Sequence, residues 1–182
     1  MAQRDLRAAK RYATALFNVA ARDKKLDAVE KDLDLFIGFV HGNPELRSAW
    51  ESPLLPHERK NAVVDRILSA SADPLTISFL KLLVDKGREE VLETARLDLR
   101  TLADAERKLV RAEAIFAVEP TKAEQTALAK SLQERTGDRV ELTYRVDPSI
   151  LGGVVVRMRD TILDGSVRGT LERLRDRLLL EV

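Results

Sequence analysis

The chain has 182 residues, of which 45% are hydrophobic and 34% charged, so it can build one ordinary domain or two small ones with a packed core. Its 31 basic and 30 acidic residues leave a net charge of only +1, and aromatic residues make up 4%. Nucleic-acid binding, which needs a clustered basic face and stacking aromatics, is therefore not expected. The chain has no cysteine, which excludes disulfides, thiolate metal sites and cysteine nucleophiles.

No apolar run approaches the ~20 residues that a membrane-spanning helix needs. The first residues, Met1 to Leu6, contain neither the apolar core of a signal peptide nor the pattern of a transit peptide. We expect a cytosolic protein, either free or docked on a complex.

The first hundred residues predict one helix after another. Apolar residues recur at helical spacing over 5–22, 26–41, 45–50, 57–69, 74–86 and 89–109. Asn43-Pro44 interrupts the pattern, because proline biases the preceding residue away from helix. Asp73-Pro74 predicts an N-cap with proline at the first helical position, and Gly87 predicts a left-handed helix end.

Two of these helices have unusually wide apolar surfaces. In the first, one stripe comprises Leu6, Ala9, Ala13, Leu16, Phe17 and Ala20, and an adjoining stripe comprises Ala8, Tyr12, Ala15 and Val19. Together they span roughly 200°, more than the ~100° stripe of an ordinary surface helix. In the fifth, the apolar residues are Leu75, Ile77, Phe79, Leu80, Leu82, Leu83 and Val84. Such helices are either buried on two sides within their own bundle or open to a helix from another protein.

The period changes near residues 105–112, which predicts a boundary between a domain at 1–108 and a domain at 109–182. Alternating or continuous apolar runs predict strands at 112–118, 140–146, 154–158 and 161–163, with a turn at Arg159-Asp160. Thr121 leads into a helix that Gly137 ends, and Ser166 is a candidate N-cap for a last helix at 167–180.

Chemistry-bearing motifs are missing. The chain lacks a phosphate-binding loop, and Gly152-Gly153 lack the third glycine and the helix of a dinucleotide site. His41 and His57, the only histidines, lie outside any metal-binding motif, and no acidic cluster has metal-ligand spacing. We expect no cofactor, no metal and no enzymatic activity, and we interpret the glycine pair as structural.

Two segments carry a resemblance to a known family. Lys10-Arg-Tyr-Ala-Thr-Ala-Leu-Phe-Asn-Val-Ala20 is similar to the opening of ATP synthase delta subunits, whose mitochondrial counterpart is the oligomycin sensitivity-conferring protein. The more specific segment has the pattern Asp-Pro-x-Ile-Leu-Gly-Gly followed by Asp-Gly-Ser, and it runs from Asp147 to Gly169. The resemblance covers the whole chain in the family's order.

The resemblance implies a mainly α protein, with an N-terminal six-helix bundle followed by a small α/β domain that has a short mixed sheet and a C-terminal helix. It implies a non-catalytic stator subunit that links the catalytic head of a proton-translocating ATP synthase to the membrane-anchored stalk. The bundle would bind the N-terminal segments of alpha subunits, and the second domain the far ends of b subunits. The protein would lie on the cytoplasmic face of the bacterial cell membrane, attached only through the complex.

The family's alpha-binding groove lies between the first and fifth helices, the two with wide apolar surfaces. This correspondence makes six residues candidate contacts, each of which is alternatively part of the core: Tyr12, Ala15, Val19, Phe79, Leu80 and Leu83. In the last helix, Leu171, Leu174 and Leu178 share a face. We expect this face to cover the sheet rather than to contact b.

Other functions predict different behaviour. A free-standing helical adaptor would also have wide apolar helices, but it would not copurify with alpha, beta and b subunits. A nucleic-acid-associated factor would bind with a steep salt dependence. An enzyme would show turnover in the isolated chain.

Overall fold

A computed structural model describes residues 3–68, 72–158 and 161–180, with side chains described for 6–68, 72–158 and 161–176. The chain divides into two compact units, Met1–Ala103 (unit 1) and Asp104–Val182 (unit 2). The described residues are mainly helical, with one small mixed sheet and a C-terminal helix, as the sequence predicts.

The first part of the chain is helical throughout. Its elements are α1 (Gln3–Arg22), α2 (Leu26–Gly42), α3 (Pro44–Glu51), α4 (His57–Leu68), α5 (Pro74–Asp85), a 3-10 turn (Glu89–Val91) and α6 (Leu92–Glu106). The predicted helix at 57–69 agrees as far as Leu68, and Ser69 lies outside the described residues. The predicted helix at 89–109 is wrong at both ends. It opens as the 3-10 turn, and it ends at Glu106, before Lys108 takes a left-handed φ of 50°.

Capping residues set the helix boundaries. Those at Asp73 and Gly87 agree with the prediction, whereas Asn43, expected only to end the preceding helix, also caps the next one. The Asn43 carboxamide oxygen accepts hydrogen bonds from the amides of Glu45 and Leu46 at 3.1 and 3.2 Å, at the start of α3. Asp73 accepts from the Leu75 amide at 2.9 Å, at the start of α5. Gly87 has a φ of 59°, which glycine tolerates without the clash that a Cβ would introduce. Local sequence therefore determines where these helices begin and end.

The core of unit 1 draws on every helix from α1 to α6. The largest fully buried side chains include Leu33, Phe36, Val64, Leu68, Leu80, Leu83 and Leu99. The rings of Phe36 and Trp50 meet edge to face, with centroids 4.9 Å apart.

A buried carboxylate fixes the start of α5. Asp32 of α2 is buried, and it accepts hydrogen bonds from the Asp73 amide at 2.8 Å and the Thr76 hydroxyl at 3.2 Å. The Asp73 carboxylate also pairs with Lys25 at 2.8 Å. This lysine and the Leu75 amide lower the pKa of the Asp73 carboxyl. The contacts tie the start of α5 both to α2 and to the turn that follows α1.

Unit 2 is built on a four-stranded sheet. Its strands are β1 (Leu109–Phe116), β2 (Arg139–Val146), β3 (Val154–Met158) and β4 (Thr161–Asp164), in the order β2-β1-β3-β4. The β1–β2 pair is parallel, and the other two pairs are antiparallel. The helices are α7 (Lys122–Thr136) and α8 (Val167–Leu180), with a 3-10 turn at Pro148–Ile150.

The predicted strands are confirmed, with one shift. β1 begins at Leu109, directly after the Lys108 turn, and it ends at Phe116. Val118, the last residue of the strand predicted at 112–118, is therefore outside β1 and 73% exposed. The predicted turn at Arg159-Asp160 lies outside the described residues.

One face of the sheet packs against α7. Leu132 and Leu128 of α7 join sheet residues that include Val110, Ala112, Ala114, Val156 and Met158. Thr121 and Glu124 form a capping box at the start of α7, and Gly137 ends it with a φ of 74°. The helix thus has the length needed to cross from the end of β1 to the start of the parallel strand β2.

Candidate partner-binding surfaces

The inner side of α1 is made largely of alanine. Ala9, Ala13, Leu16 and Ala20 are buried in the core of unit 1, as is Ala8 from the adjoining stripe. Two further residues of the predicted inner stripe are less covered, since Phe17 is half-buried and Leu6 is exposed.

The remaining residues of the adjoining stripe reach the surface. Ala15 is exposed, and Tyr12 and Val19 are half-buried on either side of it along the helix. Tyr12 also packs against the core, so its position is supported from below. We refer to Tyr12, Ala15 and Val19 as the α1 stripe. It combines a small central residue with two larger apolar ones, a composition that allows a helix to approach closely.

The three candidate residues of α5 lie deeper. Leu80 and Leu83 are 0% exposed and Phe79 is 6% exposed, and all three belong to the core of unit 1. They do not share the surface with the α1 stripe. Among the apolar residues of α5, Leu82 is instead the exposed one, at 43%. Periodicity alone did not distinguish Leu82 from Leu83, because the apolar arc of α5 covers more than half the helix.

Two glycine-containing turns interlock at the edge of unit 2. Gly153 has a φ of 78°, and a Cβ at this position would overlap the carbonyl oxygen of Gly165. The Gly165 amide donates to the Val154 carbonyl oxygen, and the Val167 amide donates to the Gly152 carbonyl oxygen, both at 3.0 Å. The glycine pair Gly152-Gly153 therefore has a structural role, as expected from the sequence.

The segment from Asp164 to Gly169 anchors the first turn of α8. The Ser166 hydroxyl is buried and accepts a hydrogen bond from the Gly169 amide at 3.0 Å, which confirms the predicted N-cap. The Asp164 carboxylate accepts from the Ser166 amide at 2.8 Å, and hydrogen bonds from Ser166 lower the pKa of this carboxyl. A Cβ at Gly169 would overlap the Asp164 carboxylate, so a larger residue there would have to displace the side chain that accepts from the Ser166 amide.

The leucine face of α8 does not cover the sheet. Val167 is 48% exposed, and Leu171 and Leu174 are each 55% exposed. The expectation that this face packs on the sheet is wrong, because the residues that fill the core beside the sheet come from α7. The side chain of Leu178 lies outside the described residues. α8 is therefore a second candidate surface for a partner.

The ionisable groups form pairs that bind helices together. His41 and Glu93 lie 2.6 Å apart, joining α2 to α6, and Lys60 pairs with Glu89 at 2.6 Å in a largely buried contact. Within 3–68, 72–158 and 161–180, no group of three or more histidine or acidic residues is placed to hold a metal ion. In the same residues, no helix is long and apolar enough to cross a membrane.

Comparison with known proteins identifies the family. The model of the ATP synthase delta (OSCP) subunit family matches residues 8–178. The chain belongs to this family. The ATP synthase subunit delta of Salinibacter ruber is 36% identical over 169 residues, covering 93% of this chain and 89% of that protein. The subunit delta of Oleidesulfovibrio alaskensis is 36% identical over 174 residues, covering 94% of this chain and 95% of that protein.

Solved structures agree with this family assignment. A chain of the Toxoplasma gondii mitochondrial ATP synthase hexamer is 27% identical, with a TM-score of 0.71. The match covers 94% of this chain and 97% of that chain. The family model and the relatives confirm the resemblance to ATP synthase delta subunits seen in the sequence.

Proposed function

We propose that this chain joins the catalytic head of a rotary, proton-translocating ATP synthase to its membrane-anchored peripheral stalk. Without such a link, rotor torque would turn the head instead of driving ATP synthesis. The observation that carries the proposal is the delta (OSCP) family match, which extends over both units, from residue 8 to residue 178. In this role the chain performs no bond chemistry, and it attaches to the cytoplasmic face of a bacterial membrane only through the complex.

The two units divide the task. The helices α1 to α6 act as the family's bundle and bind the N-terminal segments of alpha subunits, while unit 2 binds the ends of b subunits. Binding of an amphipathic helix by an apolar groove is a common mode of recognition that uses shape and buried apolar area. No cofactor or nucleic acid takes part.

The α1 stripe is the proposed contact for the alpha segment. Tyr12, Ala15 and Val19 are accessible to a partner, whereas Phe79, Leu80 and Leu83 are buried. We propose that these buried α5 residues support the alpha-binding groove between α1 and α5 without contacting the bound segment. Small and medium apolar residues on a helix that is rigidly packed on its other side suit a docked helix, because little side-chain entropy is lost on binding.

Replacement of Ala15 by glutamate tests this assignment. A charge at the centre of the stripe would have to be desolvated beneath the bound helix, so we expect affinity for a peptide of the first ~20 residues of the cognate alpha subunit to fall at least about 30-fold. Because Ala15 is exposed, the melting temperature should stay unchanged. Binding is measured by fluorescence anisotropy with the full chain.

Asn18→Glu is the matched control. Asn18 is exposed on the same helix and lies outside the stripe, about 60° around the helix from Ala15 and about 100° from Val19. It should leave peptide affinity within about threefold of the original chain, since exposed charges contribute little. Undiminished binding by Ala15→Glu, or an equal loss in the control, would exclude the stripe as the contact. Failure of the chain to copurify with alpha, beta and b subunits would instead favour a free-standing adaptor.

A further inference from the structure

Within 167–176, the part of α8 whose side chains the structure describes, the helix is packed only at its beginning. Ser166 and Gly169 are buried, but every residue from Thr170 to Asp176 is exposed. The helix has 14 residues, and isolated helices of ~12–15 residues are only marginally stable in water, because nucleation is costly. The N-terminal end of α8 is fixed by the Ser166 N-cap, and the Ser166 amide in turn donates to the Asp164 carboxylate. From Thr170 to Asp176, α8 therefore lacks the tertiary packing that normally stabilises a helix.

The apolar residues of α8 follow the spacing of a coiled coil. Val167, Leu171 and Leu174 are separated by four and then three residues, which places them at positions d, a and d of a heptad. About half of each side chain is exposed. Such a stripe is narrower than the apolar face of a helix packed on a sheet, and it suits a single partner helix.

Positive charge borders this stripe. Arg168 and Arg175 each follow a d residue directly, so both occupy e positions, and Thr170 occupies the g position. Their partners within the helix lie away from the stripe. Arg168 bonds to Glu172 at 3.1 Å, and Arg175 bonds to Asp176 at 2.8 Å. Glu172 and Asp176 occupy b and f positions. Since a guanidinium carries five N–H donors, both arginines keep donors for a carboxylate across the stripe.

We propose that α8 pairs, through Val167, Leu171 and Leu174, with an amphipathic helix of the peripheral stalk whose own apolar stripe is flanked by carboxylates. This inference rests on the proposed function, and it names the surface of unit 2 that meets the stalk. A second copy of the chain is a poor occupant. Within 167–176, its flanking positions offer only Arg168, Thr170 and Arg175, and no carboxylate to oppose an arginine.

The test measures binding of the full chain to the soluble part of the b subunit from the same ATP synthase. The double variant Leu171→Ser with Leu174→Ser removes two apolar anchors, and we expect affinity to fall at least about 30-fold. The matched control, Glu172→Ser with Asp176→Ser, changes as many residues on the opposite side of α8, and it should bind at least as tightly as the original chain. All four residues are exposed, so circular dichroism should report an unchanged melting temperature in both.

A charge-reversal variant tests the chemistry of the partner. Arg168→Glu with Arg175→Glu should weaken binding at least about 10-fold, because carboxylates would then face carboxylates. Binding of the original chain should weaken as salt is raised, since the flanking pairs are exposed to solvent.

The outcomes separate the inference from the proposed function. If the original chain binds b and the leucine variant binds equally well, the role of α8 is wrong and the stator function stands. If the original chain does not bind b at all, the proposed function fails for unit 2. If the chain self-associates in sedimentation and the leucine variant abolishes this, the occupant is a second copy and the proposal is overturned.

Discussion

Replacement of Gly153 by alanine is expected to destabilise unit 2 by roughly 3 kcal/mol. Two costs add at this position. The φ of 78° strains any residue with a Cβ, and the new methyl group would overlap the Gly165 carbonyl oxygen, which belongs to the backbone of the facing turn. That turn cannot simply move, because Gly165 donates to Val154 and Val167 donates to Gly152.

Gly137 offers a control that separates these two costs. It has a similar φ of 74°, but a Cβ there would meet nothing within 4 Å. Gly137→Ala should therefore cost only the strain of the left-handed conformation, about 1 kcal/mol. Hydrogen exchange of the β1 and β3 amides in the full chain measures the loss in unit 2. If the two variants lose protection equally, the interlocked turns do not have the rigidity described above.

Replacement of Leu80 by alanine is expected to destabilise unit 1 by about 2–5 kcal/mol, because it leaves a cavity in a closely packed core. Leu80 is 0% exposed and belongs to the same buried cluster as Leu33 and Phe36. Leu80 is also a candidate contact for the alpha segment, so the fall in the stability of unit 1 must be compared with any change in peptide binding. Because Leu80 is buried in the core, its replacement should lower the stability of unit 1 first and affect peptide binding only as a consequence.

Leu82→Ala on the same helix is the comparison. Leu82 is 43% exposed, so the same deletion of side-chain atoms should cost less than about 1 kcal/mol. Urea denaturation followed by the fluorescence of Trp50, which lies in the core of unit 1, measures both variants. Similar losses for Leu80→Ala and Leu82→Ala would contradict the packing of α5.

Sequence predicts the framework of the fold because caps act locally. Asn43, Asp73, Thr121 and Ser166 each accept a hydrogen bond from an amide in the first turn of the helix that they precede. Such contacts depend on residues within three positions, so a pattern in the sequence is sufficient. The early end of α6 carries no such signal, since Lys108 adopts a positive φ that lysine does not favour.

Burial is harder to predict, because it depends on contacts between distant parts of the chain. The apolar arc of α5 contains both Leu82 and Leu83, and only packing against the rest of unit 1 decides that Leu83 is covered. In α8, leucines at helical spacing suggested a face packed on the sheet, but α7 already supplies Leu132 to that core. The exposure of the α8 leucines could therefore be found only from the structure.

The two candidate surfaces, on α1 and on α8, share no sequence motif, and neither resembles a catalytic site. The α1 stripe depends on small apolar side chains, and the α8 stripe adds flanking arginines. The glycines of the most distinctive sequence motif, from Asp147 to Gly169, make close contacts within the chain. The motif builds the turns that hold the first residues of α8. The same motif also contains Val167 and Arg168, which belong to the proposed α8 contact, so its glycines support the fold while other residues in it are candidate contacts.

The central claim is that one chain binds the head and the stalk at the same time. Mass photometry of the full chain mixed with the cognate catalytic head and the soluble part of b tests it directly. We expect a single complex that contains all three components, and we expect it to disappear when this chain is omitted. If the chain binds the head and b only in separate complexes, or if head and b associate without it, the chain does not couple them.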